Sequence, residues 1–147
     1  MTEARVSVAG ETVAEIGRGM VVLLGITQAD SLVISGKVAS KVAGLRIFED
    51  AEGRMNLGMR EAGGAVLCIS QFTLYGDVRR GRRPSFDSAA RPEFAEPLYD
   101  AFCAAIERAG IRCERGRFGA RMEVHLVNDG PVTILVDSEA LDAPRDP

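Results

Sequence analysis

The chain of 147 residues is 46% hydrophobic and 27% charged, and it carries a net charge of −3. This length suits one domain with an aliphatic core, since Trp is absent and aromatic residues make up only 5%. No apolar run reaches the length of a membrane span, and residues 1–10 lack the apolar segment of a signal peptide. We therefore expect a cytoplasmic protein with no membrane partner.

The first elements are predicted from two kinds of apolar pattern. Residues 3–8 and 11–16 alternate on either side of Ala9-Gly10 and predict a β-hairpin. The unbroken apolar run 20–26 predicts a strand that is buried on both faces.

The remaining elements follow from apolar spacing and from turn and cap residues. They are, in chain order, a helix over 31–45, a turn over 50–53, a buried strand over 65–70, a long surface loop over 76–91, a helix over 92–109 that ends at Gly110, and strands over 122–127 and 132–136. Pro97 could kink the second helix or delay its start. The pattern predicts one compact α/β domain over 1–137, and the polar, Pro-containing segment 138–147 predicts a disordered tail.

The usual catalytic motifs are missing from this sequence. Cys68, Cys103 and Cys113 are odd in number and form no Cys-x-x-Cys pair, which predicts buried thiols in a reducing compartment. The single histidine, His125, is predicted on the Glu123 face of its strand, where a structural or solvated role is expected. We expect no metal and no cofactor.

Positive charge is concentrated in two segments. Residues 76–91 hold five arginines against two aspartates, and residues 108–121 hold five arginines against one glutamate. The segments could form a local phosphate-binding face, or they could be two solvated loops that never meet.

Two polar segments follow predicted strands. Ser70 to Asp77 begins where a buried strand ends, which is a common place for a binding site. Asn128 to Pro131 consists of turn-forming residues between two predicted strands. Each segment alone could equally be an ordinary strand end or an ordinary turn.

Together these segments resemble the D-aminoacyl-tRNA deacylase family, formerly called D-tyrosyl-tRNA deacylases. Ser70–Leu74 is similar to the SQFTL motif of the family, Arg80–Phe86 to its basic loop, and Asn128–Thr133 to its NxGPVT motif. The similarity runs from about residue 3 to residue 137. It implies a single compact domain of mixed β-sheets in β-β-α layers, barrel-like, with two main helices, which forms a homodimer.

The resemblance also implies a function. The protein is expected to hydrolyse the ester bond of D-aminoacyl-tRNA, and in part of glycyl-tRNA, and so to release free tRNA in translation quality control. Gly130 and Pro131 would form a cis peptide that enters the active site of the other subunit and rejects L-amino acids with its backbone. The residues implied for catalysis are Ser70, Gln71, Phe72 and Thr73, those for the chirality filter are Asn128, Phe118, Gly130 and Pro131, and those for contacts with tRNA are Arg79, Arg80, Arg82 and Arg83.

Two roles remain open for Thr73. It could act as a nucleophile, although the sequence offers no obvious base beside it. Alternatively, the protein could position an already labile ester and stabilise its oxyanion with backbone N–H groups near residues 71–73. We favour the second role.

One departure from the family concerns the start of the chain. Family members usually have a further short strand with a Gln-Arg pair about seven residues before position 2, and the sequence here starts after it. A misplaced start codon and a true loss of the strand are the two explanations. The arginine of that pair supports the Gly-Pro loop in the family. We expect an added upstream segment to raise stability.

Two other functions are compatible with the residues alone. A non-catalytic RNA-binding β-domain would use the basic loops and would have a trans Gly130-Pro131 peptide. A general esterase would act on small esters without tRNA.

Overall fold

The computed structural model describes residues 1–144. Its elements are β1 (Glu3–Val8), β2 (Glu11–Ile16), β3 (Gly19–Leu24), α1 (Leu32–Gly44), β4 (Phe48–Glu49), β5 (Met55–Leu57), β6 (Ala65–Ser70), a 3-10 helix (Phe72–Tyr75), α2 (Pro92–Arg108), β7 (Cys113–Arg115), β8 (Glu123–Val127) and α3 (Ser138–Asp142). None of the helices in this part of the chain is long and apolar enough to cross a membrane.

The predicted hairpin of β1 and β2 is confirmed. Its turn holds Ala9 and Gly10 at φ values of 50° and 83°, the left-handed conformation that a two-residue hairpin turn requires. Strand β8 pairs antiparallel with the other edge of β1, which gives the sheet order β2-β1-β8.

The centre of the molecule is the parallel sheet β3-β6-β7. Helix α1 connects β3 to β6 and α2 connects β6 to β7. One face of β6 carries Val66 and Cys68 in the core beneath the helices, and the other carries Leu67 and Ile69 against the β2-β1-β8 sheet. The predicted layered α/β domain is therefore confirmed.

The barrel-like closure that we expected is wrong. Within residues 1–144 the strands form two sheets of three strands and one pair, β4-β5, and none of these sheets closes on itself. The physical reason is strand number, because a sheet of three strands cannot curve far enough to join its two edges.

Both predicted helices form with the expected boundaries. Helix α1 begins after Ser31, whose Oγ accepts a hydrogen bond from the Ile34 N–H at 3.2 Å. Helix α2 starts at Pro92, continues through Pro97, and buries Phe102 completely. It ends just before Gly110, which has a φ of 85°.

Two predicted strands differ from the structure. The strand β3 is not buried on both faces, since Leu23 is 44% exposed. The segment 132–136 forms no strand, and Leu135 within it is 92% exposed. The outer edge of β8 is free in the sheet β2-β1-β8, but the segment does not pair with it, and the Val132 N–H donates to the Asn128 side chain instead.

The end of the chain also differs from the prediction. The Asp137 side chain accepts from the Glu139 N–H and caps the short helix α3, over residues for which we predicted disorder. Asp142 of that helix forms an ion pair with Lys37 of α1. The domain boundary at residue 137 stays a prediction, and residues 145–147 lie outside the described part of the chain.

Candidate active site

The first predicted motif lies at the carboxyl end of the parallel sheet. Ser70 is the last residue of β6, and the Gln71 N–H donates to the Leu24 carbonyl at the end of β3, at 2.9 Å. The chain then turns into the 3-10 helix Phe72–Tyr75. Ligands of open α/β sheets usually bind at this end of the strands, because the chain leaves the sheet there and exposes backbone groups.

Thr73 is exposed, and its hydroxyl accepts a hydrogen bond from the Gln71 amide nitrogen at 2.9 Å. An amide has no basic nitrogen, so Gln71 orients this hydroxyl but cannot remove its proton. The only histidine, His125, lies on β8 beside Arg5 and Glu123. Within residues 1–144, the one side chain that bonds to the Thr73 hydroxyl is therefore not a base, and the histidine lies in another sheet.

The 3-10 helix presents two backbone donors. Its internal hydrogen bonds begin with the Leu74 N–H, which donates to the Gln71 carbonyl. No hydrogen bond within residues 1–144 uses the N–H groups of Phe72 and Thr73. These are the unsatisfied donors that every helix start carries, and they can hold a developing negative charge.

An aromatic pair supports this turn. The ring of Phe72 meets that of Phe86 edge to face, with 5.2 Å between centroids. Gly76 permits this contact, because a Cβ at that position would lie 3.1 Å from Phe86 Cε1. The sequence signal that could identify Phe86 is its aromatic side chain within an otherwise polar Gly-Arg loop.

The basic loop is anchored at its base. Asp77 and Ser85 exchange two backbone hydrogen bonds of 2.7 and 2.8 Å. The Asp77 carboxylate accepts from the Arg79 guanidinium, with a shortest contact of 2.6 Å, and from the Arg79 N–H. These hydrogen bonds lower the pKa of Asp77 to about 2 and raise that of Arg79.

The four arginines predicted to contact tRNA therefore differ. Arg79 is held by Asp77, whereas Arg80, Arg82 and Arg83 are exposed and make no salt bridge within the described residues. These three guanidinium groups extend from an anchored loop next to the 3-10 helix. They are available to an anionic ligand.

The second predicted motif forms an exposed loop after β8. The Asn128 Oδ1 accepts from the Val132 N–H at 3.0 Å, and its Nδ2 donates to Thr133 Oγ1 at 3.4 Å. The Gly130-Pro131 peptide is cis, as expected. Gly130 has a φ of 143°, and a Cβ there would lie 2.9 Å from Val132 Cγ2, so only glycine fits.

Phe118 lies at the same end of the sheet as Ser70. It is half-buried, with its ring centroid 5.8 Å from that of Tyr99. The Tyr99 hydroxyl donates to the Cys68 carbonyl at 2.7 Å, and the Gly116 N–H donates to the same oxygen at 3.0 Å. Tyr99 thus joins α2 to the end of β6, a role that none of the motifs described above predicts.

The structure brings some of the predicted residues together and leaves others apart. Ser70–Thr73, Phe118 and the arginine loop share one end of the parallel sheet. No hydrogen bond or salt bridge within residues 1–144 connects the loop 128–133 to residues 70–74. Likewise, no group of His, Cys, Asp or Glu side chains among the described residues is arranged to hold a metal ion.

Comparisons with known proteins agree on one family. The model of the family described as D-Tyr-tRNA(Tyr) deacylase matches residues 1–137. The D-aminoacyl-tRNA deacylase of Symbiobacterium thermophilum is 62% identical over 139 residues, which cover 95% of this chain and 92% of that protein. The D-aminoacyl-tRNA deacylase of Halalkalibacterium halodurans is 55% identical over 137 residues, which cover 93% of this chain and 94% of that protein.

A solved structure shares the fold of this chain. The c-Myc DNA Unwinding Element Binding Protein superposes with a TM-score of 0.84 at 40% identity. The superposition covers 90% of this chain and 91% of that one.

Proposed function

The chain belongs to the D-Tyr-tRNA(Tyr) deacylase family and is a hydrolase of D-aminoacyl-tRNA, and we propose from its site how it performs and restricts that reaction. The observation that carries the mechanism is the turn after β6, where Thr73 has no base beside it and the two N–H groups of Phe72 and Thr73 are unsatisfied. Catalysis then consists of positioning the ester and stabilising its oxyanion.

In this mechanism a water molecule attacks the ester carbonyl carbon. The carbonyl oxygen becomes negatively charged and accepts hydrogen bonds from the N–H groups of Phe72 and Thr73. The bond to the ribose oxygen then breaks, and this oxygen takes up the proton that the attacking water loses, which gives free tRNA and the free D-amino acid. Hydrogen bonds to such an oxyanion typically accelerate acyl transfer by about 10²–10³-fold for each donor.

We propose that the loop Asn128–Thr133 is the chirality filter. The Asn128 side chain fixes the loop by bonding to Val132 and Thr133, and the loop is exposed as a contact surface. A wall built from backbone rejects a side chain that points toward it, so an L-amino acid is excluded by its size. A residue without a side chain is not excluded, and glycyl-tRNA is therefore hydrolysed in part.

The filter is proposed to act across a homodimer. Apolar side chains on β8 and on the segment after the loop are exposed, among them Leu126 at 44%, Ile134 at 50% and Leu135 at 92%. A second copy of the chain would cover this surface and would bring its own loop 128–133 to residues 70–74. Each active site is then completed by the partner subunit.

The tRNA is proposed to lie along the arginine loop. Arg80, Arg82 and Arg83 contact its phosphates, while Arg79 holds the loop through Asp77. Since each phosphate contact releases counterions, binding should weaken steeply with salt. The substrate is a component of translation, so we place the reaction in the cytoplasm.

Hydrolysis of D-Tyr-, L-Tyr- and Gly-tRNA under identical conditions tests the proposal. We expect rapid release from D-Tyr-tRNA, slower release from Gly-tRNA and negligible release from L-Tyr-tRNA. Equal rates on the D and L forms would eliminate the backbone filter. Binding of tRNA without any hydrolysis would favour an RNA-binding domain, and efficient cleavage of nitrophenyl esters would favour a general esterase.

A further inference from the structure

The second arginine-rich segment of the chain ends in a turn beside the candidate active site. Strand β7 pairs in parallel with β6, with Arg115 opposite Cys68. The alignment continues to Gly116, whose N–H donates to the Cys68 carbonyl at 3.0 Å. Arg117 is the next residue, so it leaves the sheet at the level of Ser70, and neighbouring strands lie about 4.8 Å apart. The turn therefore begins at the same edge of the sheet as the residues proposed for catalysis.

Residues 116–122, which we call the arginine turn, are closed at their base. A Cβ at Gly116 would lie 2.8 Å from Met122 Sδ, so the last residue of the turn packs on the first. Arg117 follows the first of these residues and Arg121 precedes the last. The two arginines are therefore brought close to each other at the base of the turn.

Side-chain and backbone contacts hold the arginine turn in place. The ring of Phe118 packs against Tyr99, and the Tyr99 hydroxyl donates to the Cys68 carbonyl at 2.7 Å. Within the turn, the Ala120 N–H donates to the Arg117 carbonyl at 3.1 Å. The turn is thus fixed to α2 and to the central strand of the parallel sheet, which gives a ligand contact on it a defined position.

The arginines of this segment differ in their partners. Arg112 and Arg115 form salt bridges with nearby carboxylates. Arg117 and Arg121 are exposed, and neither forms a salt bridge within the part of the chain that the structure describes. Two guanidinium groups on one short turn repel each other, and an anion between them would remove this repulsion.

Positive charge lies on both sides of the residues proposed for catalysis. The 3-10 helix leans toward the end of β3, since a Cβ at Gly25 would lie 3.0 Å from Leu74 Cβ. The chain that follows the arginine loop returns on the same side, where the Ala90 N–H donates to the Ile26 carbonyl at 2.9 Å. The arginine turn follows β7, the strand on the other side of β6. The end of β6 therefore lies between two groups of exposed arginines.

We propose that Arg117 and Arg121 bind a phosphodiester group near the 3′ end of the substrate, on the side of the active site opposite the arginine loop. This assignment rests on the proposed function, which supplies an RNA whose ester bond must lie at the end of β6. A planar guanidinium group can bind two phosphate oxygens at once. Contacts on both sides of β6 align the 3′ end across the active site, because phosphate contacts fix the position of a nucleic acid without reading its sequence.

Hydrolysis of two substrates tests the proposal. D-Tyr-tRNA carries phosphodiester groups, whereas 3′-O-D-tyrosyl-adenosine has the same ester on the terminal nucleoside and no phosphate. Arg117→Gln and Arg121→Gln should each raise KM for D-Tyr-tRNA by about tenfold, the effect of one hydrogen-bonded charge, and should leave kcat unchanged. With 3′-O-D-tyrosyl-adenosine the difference in KM should disappear.

The salt dependence of binding to uncharged tRNA gives a second measurement. The slope of log Kd against log salt concentration should decrease in magnitude by about 1 in each variant, because one phosphate contact is lost. Arg117→Lys keeps the charge and should restore most of the slope. Arg112→Gln is the matched control, since Arg112 is held by Glu114 at 3.0 Å and by the Glu15 carbonyl at 3.2 Å, and its loss should change neither KM nor the slope.

The possible outcomes separate this assignment from the proposed function. If wild type hydrolyses D-Tyr-tRNA and both glutamine variants keep its KM and its salt slope, the arginine turn makes no phosphate contact and the assignment is wrong. It is also wrong if the variants lose activity equally on both substrates, because the arginines then support the structure of the site. A wild type that hydrolyses neither substrate would overturn the proposed function, and the salt slopes would still decide for or against the two arginines.

Discussion

At the scale of single residues, Thr73 is where two mechanisms make opposite predictions. If its hydroxyl only receives a hydrogen bond from Gln71, Thr73→Val should reduce kcat/KM on D-Tyr-tRNA by about tenfold or less, the value of one hydrogen bond. If Thr73 were the nucleophile, the same substitution would reduce kcat/KM by several orders of magnitude. Single-turnover rates with equal amounts of folded enzyme provide the measurement, and Thr73→Ser is the matched control that keeps the hydroxyl.

Asp77 gives a pH-dependent prediction at the same scale. Its pKa is lowered from 3.8 to about 2, chiefly by hydrogen bonds from the Arg79 side chain. A lowered carboxylate pKa stabilises the fold above the unfolded value, and this contribution is lost as the pH falls through about 2. The loop anchor is therefore intact at neutral pH. Carboxyl NMR titration should show the low pKa in wild type and in Arg80→Gln, and a return toward 3.8 in Arg79→Gln.

At the scale of elements, α2 carries much of the core. Phe102 is fully buried in the helix face that packs on the parallel sheet, so Phe102→Ala should lower the free energy of unfolding by about 3–5 kcal/mol. Phe94→Ala is the matched control on the same helix, because this side chain is 44% exposed and should cost far less. Urea unfolding measures both. Similar losses for the two variants would contradict the placement of the helix.

The elements that sequence predicts well are those with a local signal. The local signal of the hairpin is the turn at Ala9-Gly10, and that of α1 is the capping residue Ser31. The signal of β6 is an apolar run that begins after Gly63-Gly64. The segment 132–136 has the same apolar character, but it leaves the free outer edge of β8 unpaired, and its first N–H donates to the Asn128 side chain. The direction in which the chain leaves β8 is not a property of the segment itself. The predicted burial of both faces of β3 is wrong at Leu23 for a similar reason, because an apolar run does not reveal which elements pack against each of its faces.

The residues of the candidate site could be predicted from the sequence, but the contacts between them could not. Motif similarity identified Ser70–Thr73 and Asn128–Thr133, but composition and spacing could not reveal that Gln71 binds the Thr73 hydroxyl or that Asp77 holds Arg79. Those contacts depend on the angle at which the chain leaves β6. The separation of the two motifs within one chain is likewise a property of the whole molecule, and it is the reason we propose a site shared between subunits.

The exposed surface around Leu135 gives the prediction for the whole molecule. If a second copy covers it, sedimentation equilibrium should give a mass of twice the 15.7 kDa of one chain. Leu135→Asp would place a charge in the interface, where it is costly to bury, and should shift the protein toward monomers. Because the site is completed in trans, kcat/KM of this variant should fall as the enzyme is diluted and should recover at high concentration.

The control for that experiment is an equally exposed apolar residue elsewhere. Val33 on α1 is 80% exposed, so Val33→Asp makes the same kind of change away from β8 and should leave both mass and activity as in wild type. Equal behaviour of the two variants would place the interface elsewhere. A wild-type monomer with full, dilution-independent activity would show that one chain completes its own site, and the loop 128–133 would then have to reach residues 70–74 by a change of its own conformation.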